Sequence, residues 1–495
     1  MKKVQGLRTE LQTIAKLGSA LAVLGWDQEV NLPKKGLAIR GEVSSLLAAD
    51  IHRRVTSADF VGLVKGLAQS KVLKALPADE RVIVRETWRD VKRAQKLPVE
   101  FVEKFSKLTT DAFAAWAEAR QKSDFSIFKP YLKKVVDMSR REAEYIGYKD
   151  SPYDALLDGF EPEMTSKRLD ELFIPLTAEL SALVAEVKGK LQPKLPKFKY
   201  EISAQQKLNK IVAKDVGYDL EAGRIDESPH PFTINFHPTD VRITTRYSED
   251  DFWVSLGSVI HEVGHALYEQ GLPAKEFGTP LGTSVSLGIH ESQSRIWENF
   301  VGRNRAFVDY LYPLMQEQFG KLPYSSEQLY LWLNRVQPSL IRVESDEVTY
   351  NLHIMVRYSL EKALLENRLR VDDLPDAWNQ TMKDYLDVKV PNDAKGVLQD
   401  IHWSHGTLGY FPTYSLGNLY AAQLFHKISQ DLPGLERRFA SGDFKSFLKW
   451  LRKNIHQHGR RYSPEELIKK ATGEPLSSNY LFDHLKQKIS LQQKK

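Results

Sequence analysis

The stretch FWVSLGSVIHEVGHALYEQG occupies residues 252–271 and predicts a helix with HEVGH near its centre. Each residue of an α-helix turns about 100° around the axis, so His261 and His265 lie about 40° apart on one face. Both imidazole rings can therefore reach one metal ion. Glu262 projects at a neighbouring angle, where its carboxylate can hold a water molecule beside that ion.

The composition of this helix is that of an interior helix. Glu262 is the only acidic residue, and there is no Lys or Arg, between Phe252 and Tyr268. One apolar stripe comprises Trp253, Leu256, Ile260, Val263 and Leu267. A lone buried carboxylate costs several kcal/mol unless a charge compensates it, and a bound zinc ion would do so. Ser248 and Asp251 have the spacing of a capping box and predict the helix start, and Gly271 predicts its end.

A catalytic zinc ion usually has three protein ligands and one open position. Glu269 is a poor third ligand, because residues i, i+4 and i+8 span about 12 Å of helix axis. Some zinc proteases place a third histidine six residues after the second, but that position is Gly271 here. The third ligand must then come from a later element. Its position favours Glu291, and Glu276 and Glu298 remain alternatives.

The overall composition excludes several classes of protein. Of the 495 residues, 42% are apolar and 27% are charged, which is typical of a soluble globular protein. The chain contains no cysteine, so thiolate metal sites and cysteine nucleophiles are excluded. The net charge of +6 is spread over a mixed surface and predicts no nucleic-acid partner. The N-terminal residues predict an amphipathic helix rather than a signal peptide, and no window predicts a membrane span, so a cytoplasmic location is expected.

Most of the remaining sequence predicts helices. They are expected at 99–121, 125–146, 165–191 with a break near Pro175, 308–319, 326–336, 346–366, 372–386, 418–430, 443–455 and 464–471. Residues 231–247 instead alternate and are rich in Thr, Ile, Val, Phe and Tyr, which predicts a β-hairpin pairing 233–236 with 241–245. The basic, proline-containing loop 188–200 is the best candidate boundary between lobes of a shared core.

Several motifs occur in a specific order along the chain. They are HPF at 230–232, DVRIT at 240–244, HEVGH at 261–265, HESQ at 290–293, IRVESD at 341–346 and GVLQDIHW at 396–403. HEVGH alone is common among proteases, but the ordered set resembles the carboxypeptidase Taq family of zinc metallocarboxypeptidases. WDQEVNLPKKG near the N-terminus and GYFPTYSLGN at 409–418 extend the resemblance over nearly the whole chain.

The resemblance implies a mainly α-helical single domain over 1–495, built around a deep active-site groove and similar to neurolysin and angiotensin-converting enzyme. Its two lobes, about 1–195 and 196–495, would not fold independently. The expected metal is Zn²⁺, one per chain, bound by His261, His265 and Glu291, and Co²⁺ is expected to substitute for it. The expected assembly is a homodimer.

The resemblance also implies the reaction. The enzyme is expected to remove C-terminal residues from peptides with broad specificity, acting poorly on Pro, Gly, Asp and Glu. Glu262 is the expected general base for the attacking water.

Substrate-binding residues are expected in the remaining motifs. Tyr414 is the candidate donor to the oxyanion, with Tyr410 in reserve, and His402 or His405 would hold the substrate backbone or the oxyanion. An arginine suits the terminal carboxylate of a peptide best, because its planar guanidinium can donate two parallel hydrogen bonds. The candidates are Arg242 and Arg342, with His230 nearby in the motif order. Arg242 could instead only pair with Asp240 or another acid, and Arg342 with Glu344 or Asp346.

Two other functions remain open at this stage. A zinc endopeptidase or dipeptidyl carboxypeptidase could use the same metal site, and cleavage of a peptide with a blocked C-terminus would identify an endopeptidase. A non-enzymatic binding protein could retain the fold, although the intact HEVGH motif argues against it.

Overall fold

The computed structural model describes residues 2–187 and 192–493. Its α-helices are α1 (Lys2–Val30), α2 (Leu37–Thr56), α3 (Ala58–Leu67), α4 (Ser70–Ala75), α5 (Ala78–Gln95), α6 (Val99–Lys122), α7 (Phe125–Ile146), α8 (Pro152–Leu157), α9 (Ser166–Val187), α10 (Ile202–Asp215), α11 (Trp253–Gly271), α12 (Leu287–Arg295), α13 (Arg305–Phe319), α14 (Ser326–Leu333), α15 (Glu347–Leu365), α16 (Leu374–Leu386), α17 (Pro412–Asp431), α18 (Leu435–Ala440), α19 (Lys445–Asn454), α20 (Pro464–Thr472) and α21 (Asn479–Gln493). The strands are β1 (Ile225–Glu227), β2 (Thr233–His237) and β3 (Asp240–Thr245). The predicted mainly α fold with a small sheet is confirmed.

The chain forms two compact units, each assembled from three segments. Unit 1 comprises 1–95, 195–330 and 424–475, and unit 2 comprises 96–194, 331–423 and 476–495. These units do not coincide with the predicted lobes 1–195 and 196–495, since each unit takes segments from both sides of residue 195. The fold of the whole chain as a single domain stays a prediction.

Unit 1 is organised around α11, the helix that carries HEVGH. Four of the five residues of the predicted apolar stripe of α11, Leu256, Ile260, Val263 and Leu267, are almost inaccessible to solvent, whereas Trp253 is half-buried. Helices α10 and α12 and strands β2 and β3 pack against α11. Strand β3 is central in the sheet: β2 pairs with it antiparallel and β1 pairs with it parallel. The predicted hairpin, with 233–236 pairing with 241–245, is confirmed as β2 and β3, and β1 is an addition.

Unit 2 is organised around α15, which is buried over most of its length. Its fully buried side chains include His353, Arg357 and Glu361 among apolar residues. Helices α7, α8, α9 and α16 pack around α15. Because buried charges must be paired or hydrogen-bonded, Arg357 and Glu361 require partners inside unit 2. The carboxylate of Glu361 accepts hydrogen bonds from Trp403 Nε1, Tyr153 Oη and the Gly409 backbone N–H.

Two predicted helix boundaries are wrong. Helix α9 continues through Pro175 instead of breaking there, because its buried residues recur on both sides of the proline and their packing outweighs the missing hydrogen bond. Ser248 and Asp251 do not form a capping box. Helix α11 begins only at Trp253, and the Asp251 side chain accepts a hydrogen bond from the Trp253 N–H at 2.9 Å.

The later helices also differ in part from prediction. Helix α17 begins at Pro412 rather than at 418, with the proline in its first turn, where no backbone donor is needed. Helices α18 and α21 were not predicted. Residues 188–191, which belong to both the predicted helix 165–191 and the loop 188–200, lie outside the described residues. None of the helices within the described ranges combines the length and hydropathy of a membrane-spanning segment.

Candidate metal centre

Three side chains of unit 1 converge so that they could hold one metal ion. They are His261 and His265 from α11 and Glu291 from α12, and their ligand atoms all lie within 4.8 Å of one another. Glu291 Oε2 is 3.5 Å from His265 Nε2 and 4.0 Å from His261 Nε2. Zinc bonds of about 2.0–2.1 Å in a tetrahedral arrangement separate two ligand atoms by about 3.3 Å. The donor set and its spacing therefore fit zinc with three protein ligands.

The glycine of HEVGH explains how α12 comes close enough to supply Glu291. A Cβ atom on Gly264 would lie 2.5 Å from the backbone oxygen of Gln293 and 2.6 Å from Cα of Ser294. Those distances are well inside van der Waals contact, so any side chain here would push α12 away from α11. Gly264 thus permits the close helix packing that brings Glu291 to the two histidines.

The environment keeps two of the three ligand candidates, His265 and Glu291, in the forms that bind a cation. Burial and the nearby His290 lower the pKa of His265 to about 3, so its imidazole is neutral and its nitrogen lone pair is available. Burial would raise the pKa of Glu291, but Arg295 and the two histidines hold it well below its usual value. A neutral imidazole and an ionised carboxylate are the forms that bind metals.

Glu298, one of the alternative third ligands, contacts the other nitrogen of His261. Its Oε2 lies 2.8 Å from His261 Nδ1. Burial would raise the pKa of Glu298, but Arg295 and the hydrogen bond with His261 lower it to about 2. Glu276, the remaining alternative, forms an ion pair with Arg8 at 2.8 Å. Of the three candidates, only Glu291 lies close to the Nε2 atoms of both His261 and His265.

Glu262 is buried and anchored by the hairpin. The Thr233 hydroxyl donates to Glu262 Oε2 at 2.5 Å and also lies 2.9 Å from the Glu262 backbone oxygen. Burial raises the pKa of Glu262, although His261 and the Thr233 hydrogen bond oppose that shift. Strand β2 therefore holds the carboxylate that follows the first histidine, leaving Oε1 as its second acceptor.

Glu269, rejected as a third ligand from its spacing, has a separate set of partners. Its Oε1 lies 2.7 Å from His290 Nε2, and its Oε2 accepts a hydrogen bond from Asn235. The His290 ring stacks on the His265 ring with centroids 4.5 Å apart. The histidine of HESQ thus packs beside the candidate ligand His265, and Glu269 on α11 holds it by a hydrogen bond.

In unit 2, Arg342 is part of a buried ion-pair cluster. Arg342 Nε and Nη2 donate to Asp400 Oδ1 at 3.0 and 2.9 Å, and Nη1 donates to the Tyr350 hydroxyl at 3.2 Å. Arg357 Nε donates to the other oxygen of Asp400 at 2.6 Å. The alternative of pairing with Glu344 or Asp346 is therefore wrong, because Asp400 from the GVLQDIHW motif takes that place.

The predicted aromatic and histidine candidates of unit 2 surround this cluster. The Arg342 guanidinium lies 5.0 Å from the centre of the Tyr414 ring, and the Tyr414 hydroxyl is 3.3 Å from His402 Nε2. The Tyr410 ring is 5.3 Å from the rings of both His402 and Tyr414. Burial lowers the pKa of His402 to about 4, so its imidazole is neutral. Tyr414 lies in the first turn of α17 and not in the loop expected from the sequence.

The other predicted substrate-binding residues occupy different surroundings. Arg242 donates through Nε and Nη2 to the two oxygens of Asp240 at 2.8 and 2.9 Å, which is the pairing weighed as its alternative role. His230 is exposed in unit 1. His405 is exposed in unit 2, where its ring lies 5.4 Å from that of Phe113.

Four residues that make the contacts described above were not assigned a role from the sequence. Thr233, Gly264 and Arg295 each lie within a predicted element or motif region, but spacing alone does not reveal what they contact. Asp400 stands inside GVLQDIHW, and that motif was the available signal for it. The contacts are made between elements distant in sequence, so they require the folded chain.

Comparisons with known proteins agree with this geometry. Residues 6–489 match the family described as carboxypeptidase Taq (M32) metallopeptidase. The chain is 40% identical over 491 residues to thermostable carboxypeptidase 1 of Pyrococcus furiosus, covering 98% of each chain. It is 43% identical over 490 residues to thermostable carboxypeptidase 1 of Thermus thermophilus, covering 96% of each. The crystal structure of an M32 carboxypeptidase from Deinococcus radiodurans is similar with a TM-score of 0.96 at 38% identity, covering 99% of each chain.

Proposed function

The chain belongs to the carboxypeptidase Taq (M32) family and is a metallocarboxypeptidase, and from this membership we propose that it is a zinc enzyme releasing C-terminal residues one at a time. The observation that carries the proposal is the convergence of His261, His265 and Glu291, with their ligand atoms within 4.8 Å. Two histidines and one carboxylate leave a fourth tetrahedral position open for substrate or water. Zn²⁺ is the proposed metal, and Co²⁺ is the proposed substitute because the same donor set suits both ions.

Glu262 is the proposed general base. Zinc, when bound, supplies Lewis acidity that polarises the scissile carbonyl and acidifies water. Since Thr233 donates to Oε2 of Glu262, we assign Oε1 to the attacking water. Glu262 takes one proton as the water oxygen bonds to the carbonyl carbon. It returns that proton to the amine nitrogen as the peptide C–N bond breaks.

The substrate's terminal carboxylate is proposed to bind an arginine. Arg342 is supported by its remaining donors: Asp400 and Tyr350 together accept three of its five N–H groups. Arg242 also retains donors beyond those bound by Asp240. Broad specificity, with poor release of Pro, Gly, Asp and Glu, and a contribution of His230 and His405 to peptide binding remain predictions from the family resemblance.

Tyr414 and His402 are proposed to stabilise the oxyanion and hold the substrate backbone. The support is chemical: a tyrosine hydroxyl and a neutral imidazole can each donate a hydrogen bond to a developing negative charge. Tyr410 remains the reserve candidate. Replacing Tyr414 with Phe removes only the hydroxyl, so a lower kcat with unchanged zinc content would support the role.

Two further properties are proposed from the resemblance. The first is association into a homodimer, for which the exposed apolar residues Ile39, Val43 and Leu46 on one face of α2 offer contact area. Sedimentation velocity at micromolar concentration should then give a mass near twice 56.7 kDa, and a monomer would refute the proposed dimer. The second is a cytoplasmic location, which fractionation of the source cells tests.

The experiment that tests the proposed function is mass analysis of a peptide digested over time. An exopeptidase produces a ladder in which each product is shorter by one C-terminal residue. Amidation of the C-terminus should slow the reaction strongly, because it removes the negative charge that the proposed arginine binds. Internal fragments from the amidated peptide would identify an endopeptidase, and losses of two residues per step would identify a dipeptidyl carboxypeptidase.

A further inference from the structure

The helix that supplies Glu291 changes its geometry immediately afterwards. Residues Ile296–Val301 form a π-helical turn directly after α12, and the Gly302 N–H bonds to the Trp297 carbonyl five residues earlier. Turns of this kind are rare and frequently occur at functional sites, because they reorient the side chains that they carry. The polar side chain that this turn directs at the metal centre is Glu298.

Glu298 and Glu291 contact opposite nitrogens of His261. Glu298 Oε2 lies 2.8 Å from His261 Nδ1, whereas Glu291 Oε2 faces His261 Nε2 at 4.0 Å. An ionised carboxylate can only accept a hydrogen bond, so Nδ1 must carry the proton. In the neutral ring, the Nε2 lone pair is then the one that faces Glu291.

Arg295 links the two carboxylates. Its Nε donates to Glu291 Oε1 at 2.6 Å and its Nη1 donates to Glu298 Oε2 at 3.2 Å. Because a guanidinium is planar and rigid, these bonds fix the carboxylates relative to each other. Arg303 Nη2 lies a further 3.7 Å from Glu298 Oε1. Glu291, Arg295, Glu298 and Arg303 thus form a connected network that includes one ligand candidate and contacts another, His261.

We propose that Glu298 is a positioning residue that holds His261 as its Nδ1–H tautomer and directs Nε2 at the metal, and that Arg295 ties this contact to Glu291. The inference rests on the proposed metal site. Glu298 acts on the ligand His261 and does not itself bind the ion. Partners that orient a histidine ligand typically change metal affinity by about 10–100-fold.

The test compares zinc dissociation constants, measured by competition with a chelator, in wild type, Glu298→Gln and Glu276→Gln. Glu276 is the matched control, since its side chain is 14% exposed against 15% for Glu298 and also pairs with an arginine, Arg8. We expect Glu298→Gln to weaken zinc binding by about 10–100-fold and Glu276→Gln to leave it unchanged. The visible spectrum of the cobalt-loaded Glu298→Gln protein should also shift, because a neutral amide oxygen accepts the His261 Nδ1–H more weakly than a carboxylate does.

A second variant covers the case in which Glu298→Gln fails to fold, as judged by circular dichroism. Glu298→Asp keeps the charge but withdraws the carboxylate by one methylene, so it should fold and still lose zinc affinity. Wild-type zinc affinity in the folded variant overturns the proposal. Glu291→Ala separates this failure from that of the metal site. If Glu291→Ala loses zinc while the Glu298 variant keeps it, only the positioning role is wrong. If both keep it, the proposed metal site is wrong.

Discussion

Replacing Glu262 with Gln tests the proposed chemistry with a small structural change. The side chain is 7% exposed and accepts the Thr233 hydroxyl at 2.5 Å. Glutamine is nearly isosteric, and its amide oxygen can accept the same hydrogen bond while its NH₂ group replaces Oε1. The fold and the three proposed zinc ligands are therefore expected to remain as they are.

The expected loss follows from the role that the substitution removes. An amide nitrogen cannot take a proton from water, so general-base catalysis is lost. That function contributes about 10²–10⁴-fold to rate, which corresponds to about 2.7–5.4 kcal/mol in the activation free energy at 1.36 kcal/mol per tenfold. Because Thr233 already fixes the carboxylate in the wild type, we expect the loss mainly in kcat and not in KM.

The assay combines steady-state hydrolysis of a free peptide with zinc analysis of the same sample. A zinc-loaded Glu262→Gln protein should lose at least 10²-fold in kcat. Wild-type turnover in a fully loaded variant would refute the general-base assignment. Loss of zinc along with turnover would show instead that the carboxylate supports metal binding.

Three other predictions follow from separate parts of the molecule. Gly264→Ala places a Cβ 2.5 Å from the backbone of Gln293, so it should destabilise the protein by about 1–3 kcal/mol and weaken zinc binding; unchanged thermal unfolding would contradict this. One of Arg242→Ala and Arg342→Ala should remove the partner of the substrate carboxylate. That variant should lose about 10–150-fold in kcat/KM on a peptide with a free C-terminus and much less on the amidated peptide. Equal losses on both peptides would show that the arginine replaced does not bind the carboxylate. Burial raises the pKa of Glu361 from 4.5 to about 7, although its hydrogen bonds act to lower that pKa. The folded protein therefore keeps this proton to a higher pH than the unfolded chain does. The unfolding free energy of the wild type should fall relative to that of Glu361→Gln as the pH rises from about 4.5 to above 7. Denaturant midpoints measured below pH 4.5 and at pH 8 check this, and a pH-independent difference would contradict it.

The parts of the fold that are specified locally could be predicted from the sequence. Helix α11 has both a buried apolar stripe and a histidine pair, and the 231–247 alternation matches the observed hairpin. The predicted break at Pro175 is wrong because the helix is stabilised by tertiary packing on both sides of the proline, which a local sequence pattern does not reveal. The parallel strand β1 was missed because three residues are too few to show a period.

The candidate site shows the same limit. Spacing placed His261 and His265 together and left Glu291 and Glu298 as alternatives, since both follow in the next helical segment. The family resemblance favoured Glu291, and the folded chain shows the physical difference: Glu291 faces Nε2 of both histidines, whereas Glu298 contacts Nδ1 of one. The partner of Arg342 was likewise sought among its neighbours in sequence, whereas Asp400 lies 58 residues away.

Zinc titration of the metal-free protein tests the central claim most directly. Protein stripped with a chelator is titrated with zinc while release of the C-terminal residue from a peptide is followed. One site built from His261, His265 and Glu291 predicts no hydrolysis without metal and a linear rise that ends at about one zinc per chain. Full hydrolysis by the metal-free protein, or a rise that continues well beyond one equivalent, would contradict the account.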